Sequence, residues 1–220
     1  MKSNSYTGLI FTLLFALQPT FVSAAPKARV TSPVNNQRRV RLTGHLHPHG
    51  INESDAGPVD TSEVLPALTL TLRPSDQQEA ALEKLLTEQQ DPASPNYNQW
   101  LTPEQFGERF GVNDADLQKI TSWLESQNLH VTTVARARNA ITFTGTAGDV
   151  GKAFQTEFRH YRSATATHFA NAQEPSIPVA FDGVIRSIHG LNNYRMKPHA
   201  RLHKQSVDPS FTSSSGSHYL

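Results

Sequence analysis

The chain has 220 residues, enough for one sizeable core with appendages. Its 20 Lys plus Arg nearly balance 19 Asp plus Glu, which leaves no bulk electrostatic footprint for nucleic acid. The lack of cysteine excludes disulfides, thiol catalysis and cysteine-ligated metals, so packing alone must stabilise the fold.

Residues 1–24 read as a secretory signal: Lys2, an apolar run from Leu9 to Leu17, and the small-residue site Val22-Ser23-Ala24. The run is short for a membrane span, and an uncleaved anchor is the alternative. With the signal removed, no membrane segment is expected, and the destination is the periplasm or the exterior. Residues 25–36 carry Pro26 and Pro33 among small polar residues, as a linker does. From Arg39 to His47 the chain alternates, placing Val40, Leu42 and Leu46 on one face of an edge strand. Residues 48–58, with Gly50 and Gly57, read as a loop, and Asn52-Glu53-Ser54 is a glycosylation sequon.

The main domain is expected over residues 65–191. Leu68, Leu70 and Leu72 share one face of its first strand. Ser75 and Gln78 have capping-box spacing, and Ala81, Leu82, Leu85 and Leu86 form an apolar stripe on the helix that follows. After Pro92 and Pro95, Thr102-Pro103-Glu104-Gln105 opens a second helix, with Phe106 and Phe110 on one face. A third helix starts at Asn113 or Asp114 and aligns Leu117, Ile120, Trp123 and Leu124. Val131 to Val134 and Ile141 to Phe143 flank a hairpin connection at Arg136 to Asn139, and Thr146 to Asp149 repeats the capping spacing before Val150 to Phe154. Glu157 to Tyr161 returns as a strand. Strand, helices, strand, strand, helix, strand is the order of an α+β, ferredoxin-like split βαβ fold with extra helices. Val179 to His189 is expected as a short helix or turn whose Val184, Ile185 and Ile188 cover the sheet. Residues 192–220, with Arg195, Lys197, Arg201, Lys204 and a serine tract, read as a flexible linker. The expected units are therefore 1–24, 25–64, 65–191 and 192–220.

The stretch Asp91-Pro92-Ala93-Ser94-Pro95-Asn96-Tyr97-Asn98-Gln99-Trp100-Leu101-Thr102-Pro103-Glu104-Gln105-Phe106 resembles the activation (pro) domain of sedolisins, the serine-carboxyl peptidases also called kumamolisins. Phe110-Gly111-Val112, Asn139-Ala140-Ile141-Thr142-Phe143-Thr144-Gly145, Phe169-Ala170-Asn171, Pro175-Ser176-Ile177-Pro178 and Gly190-Leu191 extend the likeness. The resemblance implies a ferredoxin-like prodomain that assists folding of a peptidase unit, blocks its cleft and is released by acid. It also implies that the unit follows this chain, in cis. A free-standing secreted inhibitor or binding protein, acting in trans, is the alternative.

The family's catalytic Glu, Asp and Ser, the last in a Ser-Gly-Thr-Ser setting, have no counterpart here, so no catalytic residue is assigned and the chain alone is not expected to be an enzyme. Ser213-Ser214-Ser215-Gly216-Ser217 lacks the threonine and a base to activate it. The family's calcium belongs to the peptidase unit, so no cofactor is expected. His45, His47 and His49 alternate in the manner of metal ligands on a strand, but Pro48 interrupts them and no nearby carboxylate completes a shell, so they read as a solvated face and no metal is assigned. Phe106, Phe110, Trp123, Phe143, Phe154 and Phe158 have core spacing, whereas Tyr97 and Trp100 lie in a loop and either cover helix ends or touch a partner. Glu79, Glu83, Lys84 and Glu88 read as a solvated face or as a peptidase contact.

Overall fold

The computed structural model describes residues 26–48, 50, 53–164, 166–195, 211–212, 214 and 218–219. The expected signal therefore lies outside the described residues, as does most of the expected linker. Among the described residues, eleven strands and four α-helices follow in chain order. They are β1 (Arg39–Arg41), β2 (Ser54–Pro58), β3 (Val64–Leu72), α1 (Asp76–Glu88), α2 (Pro103–Phe110), α3 (Asp114–Ser126), β4 (His130–Val134), β5 (Ala140–Thr146) and α4 (Ala147–Phe154). Then come β6 (Phe158–Arg162), β7 (Thr167–Asn171), β8 (Ser176–Pro178), β9 (Ile185–His189), β10 (Phe211–Thr212) and β11 (His218–Tyr219).

The central sheet has the order β4-β5-β3-β9, every neighbouring pair antiparallel. β3 to β4 crosses over through α1, α2 and α3, and β5 to β9 crosses back after α4, which is a split βαβ connection. Its fourth strand differs from expectation. Phe158 to Tyr161 does form a strand, but it joins β2 and β7 in a separate three-stranded sheet. The sheet edge is taken by β9, where a helix or turn was expected. Only Val179–Phe181 is helical there, as a 3-10 turn. Ile185 and Ile188 are β-branched residues that point inward on opposite sides of a bulge, so they serve a buried strand as well as they would a helix face.

Capping chemistry sets the helix starts. Ser75 with Gln78 and Thr102 with Gln105 close reciprocal boxes, and Asn113 and Thr146 cap α3 and α4. α3 and α4 pack across one face of the sheet, burying Leu117, Ile120, Trp123, Leu124, Val150 and Phe154 against Leu68, Leu70, Ile141 and Phe143. Trp123 meets Phe154 and Phe181 edge to face at 5.5 and 5.3 Å.

α1 behaves otherwise. Of its apolar stripe only Leu85 is buried, Leu82 is half-covered, and Ala81 and Leu86 are exposed. The reason is placement: α1 lies on α2, where Gln78 Nε2 donates to the carbonyls of Arg109 and Gly111, and it does not lie across the sheet. α2 in turn sits hard against the β4–β5 turn, where a Cβ on Gly107 would lie 2.5 Å from the Arg136 carbonyl. That turn closes with Arg138 at φ 52 and a bond from Ala135 N–H to the Ala140 carbonyl.

Upstream of the central sheet the chain is more ordered than its composition suggests. The alternation from Arg39 to His47 yields only the three-residue β1, paired with β8, because Leu42 bonds onward to Pro175 and the chain turns away at Gly44. The expected loop over 48–58 contains β2, which Asp55 and Ser54 register against Tyr161 and Arg162. Val30 and Val59 are core residues.

Candidate docking surface

β3 presents leucines to the helices and threonines to the opposite side. Strand register turns this alternation into rows. His189, Thr69, Thr142 and Thr133 are successive cross-strand partners over four strands, and Ser187, Thr71 and Ala140 form the next row. Thr69, Thr71, Thr142 and Ser187 are half-exposed, and Thr133 and His189 are exposed. Much of the hydroxyl chemistry of this face is internal. Thr69 Oγ1 and Thr142 Oγ1 are 3.3 Å apart, Thr132 and Thr144 donate to the carbonyls of Thr142 and Leu65, and Ser187 Oγ lies 3.2 Å from His189 Nε2. These rows hold no carboxylate, lysine or arginine. A sheet surface with short side chains and several hydroxyls already bonded within the face loses little on leaving water, which suits it to cover by another protein. The Ser187–His189 pair has no carboxylate within ion-pair distance among the described residues to orient the ring.

The other sequence candidates separate. His45 is half-buried and accepts the Ile188 N–H at Nε2, 3.0 Å away, whereas His47 stacks on Tyr194 with centroids 4.1 Å apart; His49 lies outside the described residues. Among the described residues no three His, Asp or Glu converge at metal spacing. Ser214 is an exposed turn residue, and its four neighbours in the serine tract are outside the described residues. Phe110, Trp123, Phe143, Phe154 and Phe158 are buried as their spacing implies, with Phe106 half-covered against Phe110. Tyr97 and Trp100 point outward, Trp100 at 71% exposure, from a loop fastened to α1 by Gln89 Nε2 on the Gln99 carbonyl and Asn96 Nδ2 on Glu88 at 2.7 Å. Glu79 and Glu83 are exposed, and Lys84 pairs with Glu88 across one turn at 3.7 Å.

Sequence reading missed a second set of residues, all of which anchor the N-terminal segment. Asp116 is fully buried in α3, and its two oxygens accept the backbone N–H groups of Arg29 and Val30 at 2.6 and 3.0 Å. Lys119 Nζ donates to the Val30 carbonyl, Asn113 Nδ2 to that of Pro26, and Trp123 Nε1 to Asn36 Oδ1. Glu174 accepts the N–H groups of Gly44 and His45. Nothing local in the sequence marks these bonds, since each joins residues more than eighty positions apart. Asn192 to Tyr194, assigned to the linker, are also fastened. Asn192 bridges Ala170, Asn193 N–H bonds the Phe169 carbonyl, and Tyr194 OH donates to Glu53 at 2.8 Å. Burial, aided by that bond, pushes the Tyr194 phenol far above the ordinary tyrosine range. On β2, the hydrogen bond from Arg159 holds the Asp55 carboxyl below its usual range, with the Gly57 N–H assisting.

Among the described residues no helix is long and apolar enough to cross a membrane. Residues 52–194 match the family described as Pro-kumamolisin, activation domain. The chain is 28% identical to xanthomonalisin of Xanthomonas sp. (strain T-22) over 117 residues, which is 53% of this chain and 14% of that protein. It is 29% identical to tripeptidyl-peptidase sed4 of Aspergillus fumigatus over 111 residues, 50% of this chain and 18% of the relative. With sedolisin of Pseudomonas sp. (strain 101) it shares 23% identity over 196 residues, 86% of this chain and 31% of the relative. The chain thus spans under a third of these relatives' lengths, and with nearly two thirds of its own residues inside the family match it belongs to the pro-kumamolisin activation-domain family.

Proposed function

We propose that this chain is the exported pro-region of a sedolisin-type peptidase precursor, a ferredoxin-like domain that assists folding of the peptidase unit, blocks its cleft and lets go in acid. The observation that carries this reading is the family match over residues 52–194, joined to relatives that match only over a minor part of their length. The partner is the peptidase unit, in cis or in trans, and the surface it covers is the hydroxyl face of the central sheet. The chain itself takes no cofactor and performs no catalysis; calcium and the catalytic residues belong to the peptidase unit. Residues 1–24 direct export, and residues beyond Tyr194 provide the processing linker.

Acid release has a specific source on this face. His189 is the one titratable side chain in the two rows. Covering a neutral imidazole costs little, whereas covering an imidazolium on a face without carboxylates carries a desolvation penalty. Binding of the chain to a separately produced, catalytically inactivated sedolisin unit tests the reading. Affinity should be higher at about pH 6.5 than at about pH 4.5, and His189→Gln should flatten that difference. No binding at either pH would refute the partner, and tighter binding in acid would refute the release.

A further inference from the structure

β9 closes one edge of the central sheet, and the outward N–H of an edge strand needs a partner when water is kept away. For Ile188 that partner is a side chain. His45 Nε2 lies 3.0 Å from Ile188 N, and the His45 side chain is only 9% exposed. Two donors cannot face each other at that distance, so Nε2 must carry the lone pair and the ring proton must sit on Nδ1. Nδ1 is buried and has no hydrogen-bond partner. Its nearest charge is Glu174 Oε2 at 3.8 Å, whose oxygens are already engaged by the N–H groups of Gly44 and His45.

We propose that His45 is an acid-released pin on β9. Neutral, it holds the edge strand through Ile188; protonated, it has a hydrogen on both nitrogens, gives up Ile188 and keeps Glu174. Imidazole is the side chain whose charge changes between about pH 5 and 8. The groups facing His45 act in both directions. Glu174 favours the cation, while Arg186 and His189 on β9 and His47 on its own segment line the same cleft of about 420 Å³ and oppose it. The Ile188 bond exists only for the neutral ring, so the released state binds one more proton. The pin's contribution is therefore complete at high pH and is lost as pH falls through the imidazole's titration. His45 lies upstream of the family match at residues 52–194. Because β9 carries Ser187 and His189, acid would also loosen an edge of the proposed docking face; that consequence rests on the docking proposal, whereas the pin does not.

Amide exchange at Ile188 in the full chain, without any partner, reads the pin directly. Between about pH 7.5 and about pH 5.5, protection corrected for intrinsic rates should fall about three- to tenfold, the worth of one net hydrogen bond. In His45→Gln, whose amide oxygen accepts a bond without titrating, protection should stay level. A wild-type chain with pH-independent Ile188 protection, or a variant that falls equally, would overturn the proposal. Nitrogen-15 spectra of the unmutated chain give an independent reading should the variant fail to fold. At about pH 7.5 His45 should carry its proton on Nδ1, and a proton on Nε2 would overturn the pin.

Discussion

The helical side of the central sheet and the N-terminal segment that crosses it are built by different means. The first is apolar interdigitation: Phe143 and Phe154 are completely buried, and Trp123 bridges Phe154 and Phe181. The second, from Pro26 to His47, has the buried Val30, the half-buried Val40 and Leu42 and the short β1–β8 pairing, and is tied down elsewhere through single polar side chains: Asp116, Asn113, Lys119, Asn36, Glu174 and His45. A packed core spreads its energy over many contacts, whereas a polar anchor fails when one partner is removed. The contrast shows where this fold resists change and where it can respond to pH.

The largest effect should come from the core. Phe154→Ala should cost about 3–5 kcal/mol in a denaturant titration; an unchanged midpoint would mean that α4 does not pack on the sheet. Asp116→Ala should cost about 2–3 kcal/mol, since it strands the buried Val30 N–H and the part-buried Arg29 N–H. The same loss should appear as raised exchange at Val30, and a core-wide rise with no preference for Val30 would erase the distinction between the two regions. Trp123→Phe separates the two terms in one residue, keeping a ring against Phe154 and losing the bond to Asn36; about 1 kcal/mol is expected. The smallest effect belongs to the surface pair between Asp55 on β2 and Arg159 on β6. Asp55 titrates below its usual range because of Arg159, so its contribution is complete above the ordinary carboxylate range and disappears as pH falls through its own lower value. Midpoints of wild type and Asp55→Asn should therefore differ slightly at neutral pH and converge in strong acid. A constant gap would mean that the Arg159 bond is not the cause.

Much of this was legible in the chain. Capping boxes at Ser75 and Thr102 and the spacing of Leu117, Ile120, Trp123 and Leu124 are local patterns, and they formed as read. The hydroxyl face was latent in the alternation of Leu68, Thr69, Leu70 and Thr71, although its assembly depended on strand neighbours that no local pattern specifies. β9 was misread because Ile185 and Ile188, three positions apart, fit one face of a helix as well as a bulged strand, and the α1 stripe was overread because periodicity does not say what a helix lies against. The anchors were invisible for a simpler reason. Asp116 and His45 act on backbone groups more than eighty residues away, and only the folded chain brings them together.

The most direct test of the docking account is a hydrogen-exchange footprint of the chain bound to an inactivated sedolisin peptidase unit near neutral pH. Protection should rise at Thr69, Thr142 and Ser187 and their neighbours on β3, β5 and β9, leaving α1 and the Trp100 loop unchanged. New protection confined to α1 and the Trp100 loop, with the sheet face still exchanging as in the free chain, would contradict it.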